Sequence, residues 1–272
     1  ISGEKTEPNK GSWDHWIVKT DPNGTVEWEK TLGGSDEDFA NEVQEAPDGN
    51  YLIGGSTRSP MDGLDIGEPL IGVKDFWFLK VSSLDGSIIW EHRYGGTNED
   101  EMQDFVQTQD GGFLLGGGSR SDSSLDKSQN AFGIVDMWVL KIDAAGIKEW
   151  DQTFGGDNID NCYSLSQNSI GYYVIGGFTG SALGSGNLTS PVKGGWDYLL
   201  VYLDNDGDYK WDQTFGGDQN DVLESVFQTS DGGYVLAGHS STDVNGDKTE
   251  PTKGLNDFWM IKTDCSVYVD FA

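Results

Sequence analysis

Short runs that are apolar on both alternating faces recur along the chain, and each run begins just after an aspartate. One of them is Trp77-Phe78-Leu79-Lys80, and the equivalent runs cover 16–19, 138–141, 199–202 and 259–262. Apolar residues on both faces are typical of a β-strand that is covered on both sides. No stretch has sustained helical periodicity, so the pattern predicts an all-β protein.

Three further strand candidates accompany each apolar run. A turn such as Asp204-Asn205-Asp206-Gly207 follows the run and supplies the Asn, Asp and Gly that a hairpin needs. The next strand carries a second Trp, a third strand follows a Gly-Gly pair, and an Asp-Gly turn leads into a fourth strand such as Phe113-Leu114-Leu115. The pattern therefore predicts four short antiparallel strands in each unit.

These markers return with a period of about 61 residues, which is the signature of a repeat protein. The aspartates that open the apolar runs are spaced by 61, 61, 61 and 60 residues, at Asp14, Asp75, Asp136, Asp197 and Asp257. The second Trp and the Gly-Gly pair keep the same spacing. The chain is therefore read as four repeats, at approximately 14–74, 75–135, 136–196 and 197–256, followed by a partial copy over 257–272.

Four short strands with Gly and aromatic markers at fixed places predict a β-propeller blade, and a 61-residue period is too long for one coil of a flat β-solenoid. We expect one β-propeller domain over 1–272, with whole blades at roughly 38–94, 100–154 and 160–215. Strands 221–228 and 232–238 are expected to accept 14–20 and 25–32 as outer partners, which closes the ring. Four blades are favoured. One strand remains surplus, so five or more blades, or a longer chain or assembly, stay open.

Several markers resemble known propeller repeats. Residues 143–150 (Asp-Ala-Ala-Gly-Ile-Lys-Glu-Trp) resemble the Trp-docking motif of quinoprotein-type propellers, with one residue fewer and no Thr before the Gly. Tyr51-Leu52-Ile53-Gly54-Gly55, followed later by Trp90, is similar to the kelch order. The whole set of markers most resembles the Asp-Tyr-Trp and Gly-Gly repeats of secreted and surface proteins of Bacteroidetes-type bacteria. This resemblance implies a propeller that is secreted or on the cell surface, and it carries no catalytic residues over.

Composition narrows the possible partners. The chain has 46 acidic and 17 basic side chains, a formal net charge of −29, which excludes nucleic acid and anionic membrane surfaces as partners because both would repel it. No apolar run approaches the roughly 18 residues that a membrane span needs. Aromatic residues make up 12 %, which argues against a disordered chain.

Acidic residues at equivalent places in every repeat have two interpretations. Four of them lie four residues after the Gly-Gly pair, at Asp38, Asp100, Asp160 and Asp221. They could form one convergent site for a cation or a basic ligand, or each could cap its own Gly-Gly turn through backbone N–H groups. Capping is favoured, since a residue that is present in every repeat usually serves the repeat. The aspartates that open the apolar runs are interpreted in the same way, with the strand lysines as their partners.

One acidic loop predicts a calcium site. Residues 243–247 have the order Asp-x-Asn-x-Asp, which places the oxygens of Asp243, Asn245 and Asp247 at alternating positions. The loop lacks Gly at its sixth position and has Gly254 instead of Glu at its twelfth, so a solvated acidic turn is the alternative. The similar stretch at 204–208 is interpreted as the hairpin turn of its repeat.

The histidines, the cysteines and the known catalytic motifs give no clear indication of an active site. His15 takes a position that is Phe, Met or Tyr in other repeats and is expected to pack, while His92 and His239 have no Cys or His partner that would suggest zinc. Cys162 and Cys265 could form one bridge, but their spacing does not demand it. No nucleophile elbow, phosphate loop or His-containing hydrolytic motif occurs.

Four long segments differ between the repeats, and they carry the functional prediction. They cover 56–74, 118–135, 178–196 and 239–256, between the second and third strands, and one face of a ring would display them together. Loops of this length on a rigid scaffold are usually functional or disordered. Trp13, Phe132 and Trp196 lie near their ends and could stack on sugar rings, with packing as the alternative.

These loops favour a non-catalytic extracellular binding or adhesion module whose ligand is a glycan or a surface protein. The alternatives are a carboxylate-dependent glycosidase and a structural spacer within a larger surface assembly.

Overall fold

The computed structural model describes residues 5–62 and 64–264, which contain 17 β-strands and no helix. The first two strands, β1 (His15–Thr20) and β2 (Val26–Leu32), form a two-stranded sheet. The next sheet consists of β3 (Asp38–Glu45), β4 (Tyr51–Thr57), β5 (Asp75–Val81) and β6 (Ile88–Tyr94). These bounds show that the strands are short and close together in sequence.

Two further four-stranded sheets and one three-stranded sheet follow in chain order. They consist of β7 (Asp100–Gln107), β8 (Phe113–Ser119), β9 (Asp136–Ile142) and β10 (Lys148–Phe154); of β11 (Asp160–Gln167), β12 (Tyr173–Thr179), β13 (Asp197–Leu203) and β14 (Tyr209–Phe215); and of β15 (Asp221–Gln228), β16 (Tyr234–Ser240) and β17 (Asp257–Lys262). Neighbouring strands pair antiparallel in sequence order. The prediction of an all-β chain with repeated four-stranded antiparallel sheets is confirmed.

The end strands pair differently from the expectation. β16 takes β17 as its neighbour, and β1 and β2 form a sheet of their own, so the predicted addition of 14–20 and 25–32 to the last sheet is wrong. β17 follows β16 directly through one loop, and such a local pairing closes a far shorter stretch of chain than a pairing with the first strands. The strand that was surplus in the sequence therefore occupies the edge of the last sheet.

The chain is divided into two compact units, one with residues up to 103 and 121–128, the other with 104–120 and residues from 129 onward. In the first unit, Ile17 packs against Trp77 and Leu79 of β5. In the second, Leu199 and Val201 of β13 pack together with Val139 of β9, and other side chains of β13 join a cluster with Trp259. The third strand of each complete sheet is covered on both faces, as its apolar pattern predicts.

Steric crowding explains why the second residue of the Gly-Gly pair inside the second strand is Gly. A Cβ atom at Gly55 would overlap the carbonyl oxygen of Phe39, and one at Gly177 would overlap that of Asn161. The neighbouring first strand has a register shift at this point, between Ala40 and Glu42 and at the equivalent place in β11. A bulge brings the two backbones together, and only Gly leaves room for it.

The second Trp of the repeat packs on the hairpin turn of the following sheet. A Cβ at Gly86 would lie 2.8 Å from Trp28, and one at Gly207 would lie 2.7 Å from Trp150. Both glycines have positive φ, +71° and +83°. Gly at this position both adopts the positive φ of the turn and leaves room for the Trp ring. These two requirements explain why the Gly-containing turn and the second Trp recur at the same period.

Candidate functional site

Each Gly-Gly turn is capped by the aspartate that follows it. The Oδ2 atom accepts the N–H of the second Gly at 2.7–2.9 Å, in the pairs Gly34–Asp38, Gly96–Asp100, Gly156–Asp160 and Gly217–Asp221. The same oxygen accepts a hydroxyl from the start of the long loop, at 2.6–2.9 Å, from Ser59, Ser121, Ser181 and Thr242. The capping interpretation is confirmed.

The aspartates that open the apolar runs accept backbone N–H groups from the residues four positions earlier. The donors are Lys10, Ile71, Phe132, Lys193 and Lys253, and the acceptors are Asp14, Asp75, Asp136, Asp197 and Asp257. The expected pairing with strand lysines is wrong, because Lys80 binds Asp48 and Lys141 binds Asp110 and Glu149. These aspartates hold the end of each loop against its own strand.

A third set of anchors was missed in the sequence. In each loop one Asx side chain accepts the N–H of the first Gly of the preceding Gly-Gly turn at 3.0–3.2 Å, in the pairs Asp65–Gly33, Asp126–Gly95, Asn187–Gly155 and Asp247–Gly216. The backbone N–H of the same residue donates back to the carbonyl oxygen of that Gly. The 61-, 61- and 60-residue spacing of these four positions is the signal that would have found them.

The acid after the second Trp ties the middle of the loop to the fourth strand. Glu91 accepts the N–H groups of Gly67 and Glu68, and Asp212 accepts those of Thr189 and Ser190. The first Trp of the repeat donates its indole N–H to this acid, as Trp138 does to Asp151 at 3.0 Å. The acid beside the second Trp therefore joins the first Trp to the middle of the loop.

In the second, third and fourth repeats, the aspartates on the two sides of the Gly-Gly turn form close, buried pairs. Around Gly216, a Cβ would overlap Asp197 Oδ1 and lie 2.8 Å from Asp221 Oδ2, and both aspartates are fully buried. Burial raises the pKa of Asp197 to about 6, against the hydrogen bond from Lys193, and the charge of Asp221 adds to the rise. Burial likewise raises the pKa of Asp75 to about 6. Because these carboxylates are enclosed, they serve the turn and are closed to a substrate.

The tips of the long loops expose apolar side chains. In the first unit these are Met61, Leu64 and Leu125; in the second they are Leu183 and Val244. Met61, Leu183 and Val244 occupy the same repeat position, two residues after the Ser or Thr that binds the capping aspartate. Apolar groups presented from fixed loop bases are the feature most typical of a binding surface.

The three predicted stacking residues have different environments. Trp13 is 63 % exposed and contacts Phe39 edge-on, with ring centroids 5.4 Å apart. Trp196 is half-buried and packs on Phe178 at 4.8 Å. Phe132 is exposed, and its backbone N–H donates a hydrogen bond to Asp136. Trp13 and Phe132 therefore offer open aromatic faces, and sugar stacking by all three residues stays a prediction.

The predicted calcium ligands each have a separate partner. Asp243 Oδ1 accepts the N–H of Thr252 at 3.2 Å, and Asn245 donates to Asp218 at 3.2 Å. Asp247 is the Asx anchor of its loop and also pairs with Lys193. Among the residues that the structure describes, no group of three His, Cys, Asp or Glu side chains is arranged to hold a metal ion. Calcium binding here stays a prediction, and it requires Asp247 to exchange its lysine for the ion.

The histidines and cysteines behave as structural residues. His15 is buried against Trp77, with ring centroids 4.7 Å apart, so its predicted packing position is confirmed. Burial lowers the pKa of His15 to about 4, and a weaker contact with the backbone of Phe39 opposes this. Cys162 is buried, and Cys265 lies outside the described residues. No helix long and apolar enough to cross a membrane occurs in the described part of the chain.

No family model matches the chain. The chain is 27 % identical over 228 residues to the regulatory protein FlaEY of Caulobacter vibrioides. The alignment covers 80 % of this chain and 23 % of that protein. The chain thus spans less than a quarter of that relative's length. A crystal structure of a protein of unknown function from Bacteroides caccae superposes with a TM-score of 0.49 at 11 % identity, over 92 % of this chain and 71 % of the other.

Proposed function

We propose that this protein is a non-catalytic binding or adhesion module that is secreted or displayed on a bacterial surface. Its repeated sheets are the blades of a β-propeller, and the loops between the second and third strands bind a glycan or another surface protein. The observation that carries this proposal is that the loops are fixed at their bases by the same contacts in each repeat, while their tips expose different apolar side chains.

The distribution of the acids supports binding rather than catalysis. A carboxylate glycosidase needs two accessible acids that face each other across a substrate, roughly 5–10 Å apart. The close pair of Asp197 and Asp221 is instead buried beside a Gly-Gly turn, and both carboxylates accept backbone N–H groups. The formal net charge of −29 favours a ligand with basic patches, or sugars that are bridged by calcium.

A glycan array run beside a polysaccharide-hydrolysis screen tests the proposal. We expect binding without turnover, and we expect Leu183→Asp and Val244→Asp to weaken it. Ile147→Asp is the matched control, because Ile147 is also an exposed aliphatic residue but lies in the turn between β9 and β10. Release of reducing ends would overturn the proposal in favour of a glycosidase, and no binding and no hydrolysis would overturn it in favour of a spacer.

Calcium binding at Asp243, Asn245 and Asp247 is part of this proposal. We expect the melting temperature to be higher in calcium than in excess chelator, and Asp243→Asn to remove the difference. Asp208→Asn is the control, because it removes the charge of an exposed aspartate in the hairpin turn between β13 and β14. Equal melting temperatures with calcium and with chelator would remove the ion from the proposal and leave the loop tips as its basis.

A further inference from the structure

The first described sheet has an open edge. In the described part of the chain β1 pairs with β2 alone, whereas its counterparts β5, β9 and β13 each pair on both sides. On the second side each counterpart meets a strand that reads aromatic–aliphatic–aliphatic–Gly–Gly, which is β4, β8 or β12. β1 therefore lacks the neighbour that the repeat provides elsewhere, and its outer backbone groups are left open.

A groove of about 420 Å³ lies beside this open edge. β1 contributes Trp16 and Val18 to its walls, and β3 contributes Ala40 and Val43. Val43 is 58 % exposed, although the residues at the same repeat position are buried: Phe105 (0 %), Leu165 (7 %) and Val226 (3 %). An apolar side chain that is open in one repeat and covered in three indicates that a cover is missing.

The later sheets show what that cover is. The first Gly of the Gly-Gly pair in β8 lies against Cys162 and Leu165, because a Cβ at Gly116 would be 2.9 Å and 3.1 Å from them. Gly176 of β12 lies in the same way against Leu223 and Val226, at 3.0 Å and 2.8 Å. The equivalents of these pairs in the first four-stranded sheet are Ala40 and Val43. A strand that fills the groove must therefore carry a very small residue at this point.

We propose that the groove beside β1 binds an extended peptide segment of the pattern aromatic–aliphatic–aliphatic–Gly–Gly, which adds to β1 as an antiparallel strand. The register of β4 on β5, moved back by one repeat, places the second Gly opposite Trp16 and the last aliphatic residue opposite Val18. Main-chain hydrogen bonds to the open edge supply affinity, and the close approach over Ala40 and Val43 selects the first Gly.

Fluorescence anisotropy with a labelled peptide tests this proposal directly. The peptide has the sequence of residues 50–58, and we expect saturable binding to the wild-type protein. Val43→Arg fills the groove and is expected to weaken binding by about tenfold or more. Val73→Arg is the matched control, since Val73 is also an exposed valine of the same unit but does not line the groove. Circular dichroism melts confirm that both variants are folded.

A second peptide tests the specificity. Leu in place of the first Gly is expected to abolish binding, and the original peptide is expected to slow hydrogen exchange of the β1 amides. Lack of saturable binding, equal binding of the two peptides, or full binding to the Val43→Arg variant would each overturn the proposal. Concentration-dependent dimers that Val43→Arg dissolves, together with no peptide binding, would show that a second copy of the chain occupies the edge instead.

Discussion

Among single residues, the informative ones are titratable groups that are buried within the repeats. Asp197 and His15 are both buried, yet burial acts on them in opposite directions. It disfavours the charged form of each, so the pKa of the carboxyl rises to about 6 and that of the imidazole falls to about 4. The two residues therefore make opposite contributions to the dependence of stability on pH.

Asp197→Asn is expected to stabilise the protein at neutral and alkaline pH. The folded state holds the Asp197 proton up to about pH 6, the unfolded chain only to about pH 4, so this group's contribution to the free energy of unfolding falls as pH rises between those values. Removing the charge is expected to raise the free energy of unfolding by up to about 3 kcal/mol at pH 8 and by about half of that at pH 5. Thermal melts at both pH values measure this, with exposed Asp208→Asn as control. A destabilised variant at pH 8 would contradict it.

His15→Phe is expected to stabilise the protein in acid. The unfolded chain takes up the imidazole proton near pH 6.5 and the folded state only near pH 4, so the free energy of unfolding falls as pH drops through that window. The variant should gain about 2 kcal/mol at pH 5 and little from this cause at pH 8. Urea titrations at the two pH values give the difference. Equal gains at both would mean that packing alone is responsible.

At the scale of elements, the loops are fixed at several points by the Gly-Gly turns and the strands beside them. Asp160 is the centre of one such anchor, since it accepts both the Gly156 N–H and the Ser181 hydroxyl. Loss of the Asp160 carboxylate would leave both the buried Gly156 N–H and the Ser181 hydroxyl without this acceptor. The anchor is therefore worth more than either bond taken singly.

Asp160→Ala is expected to lower the free energy of unfolding by about 2–4 kcal/mol, because the Gly156 N–H is left buried without an acceptor. Ser181→Ala keeps that bond and is expected to cost only about 1 kcal/mol. Chemical denaturation of the two variants measures both losses. If the two were equally destabilised, the turn would not depend on the aspartate.

The strands could be predicted from sequence because the apolar run on both faces recurs at one period, as in Trp77 and Trp138 with their neighbours. The pairing of β17 with β16 could not be predicted, since the apolar pattern describes the faces of a strand and does not specify which strand pairs with its edges. The Asx anchors escaped notice because Asp126 and Asn187 differ in type and are surrounded by divergent residues. The exposure of Trp13 depends on tertiary packing, which the repeat spacing does not encode.

At the scale of the whole molecule, the formal net charge of −29 opposes the compact state through self-repulsion. Ion pairs such as Lys141 with Asp110 and Glu149 offset only part of this. Dissolved salt screens charges over about 10 Å at 0.1 M. The stability of the protein should therefore depend on the medium more strongly than that of a neutral domain.

We expect the melting temperature to rise with sodium chloride, steeply at low ionic strength and less above the range where screening is complete. Calorimetry over a salt series measures the trend. A flat response would show that the acids are already compensated by the hydrogen bonds of the turns.

The paired anchors of each loop also define how freely its sequence can vary. Between the Ser or Thr that binds the capping aspartate and the Asx that binds the Gly lie only four or five residues, at 60–64, 122–125, 182–186 and 243–246. Both ends of each stretch are held by the scaffold, and within three of them Asp62, Ser124 or Ser185 also accepts an N–H of the preceding turn. Exchanging the other positions between repeats should leave the sheets intact, because these bonds to the turn are kept.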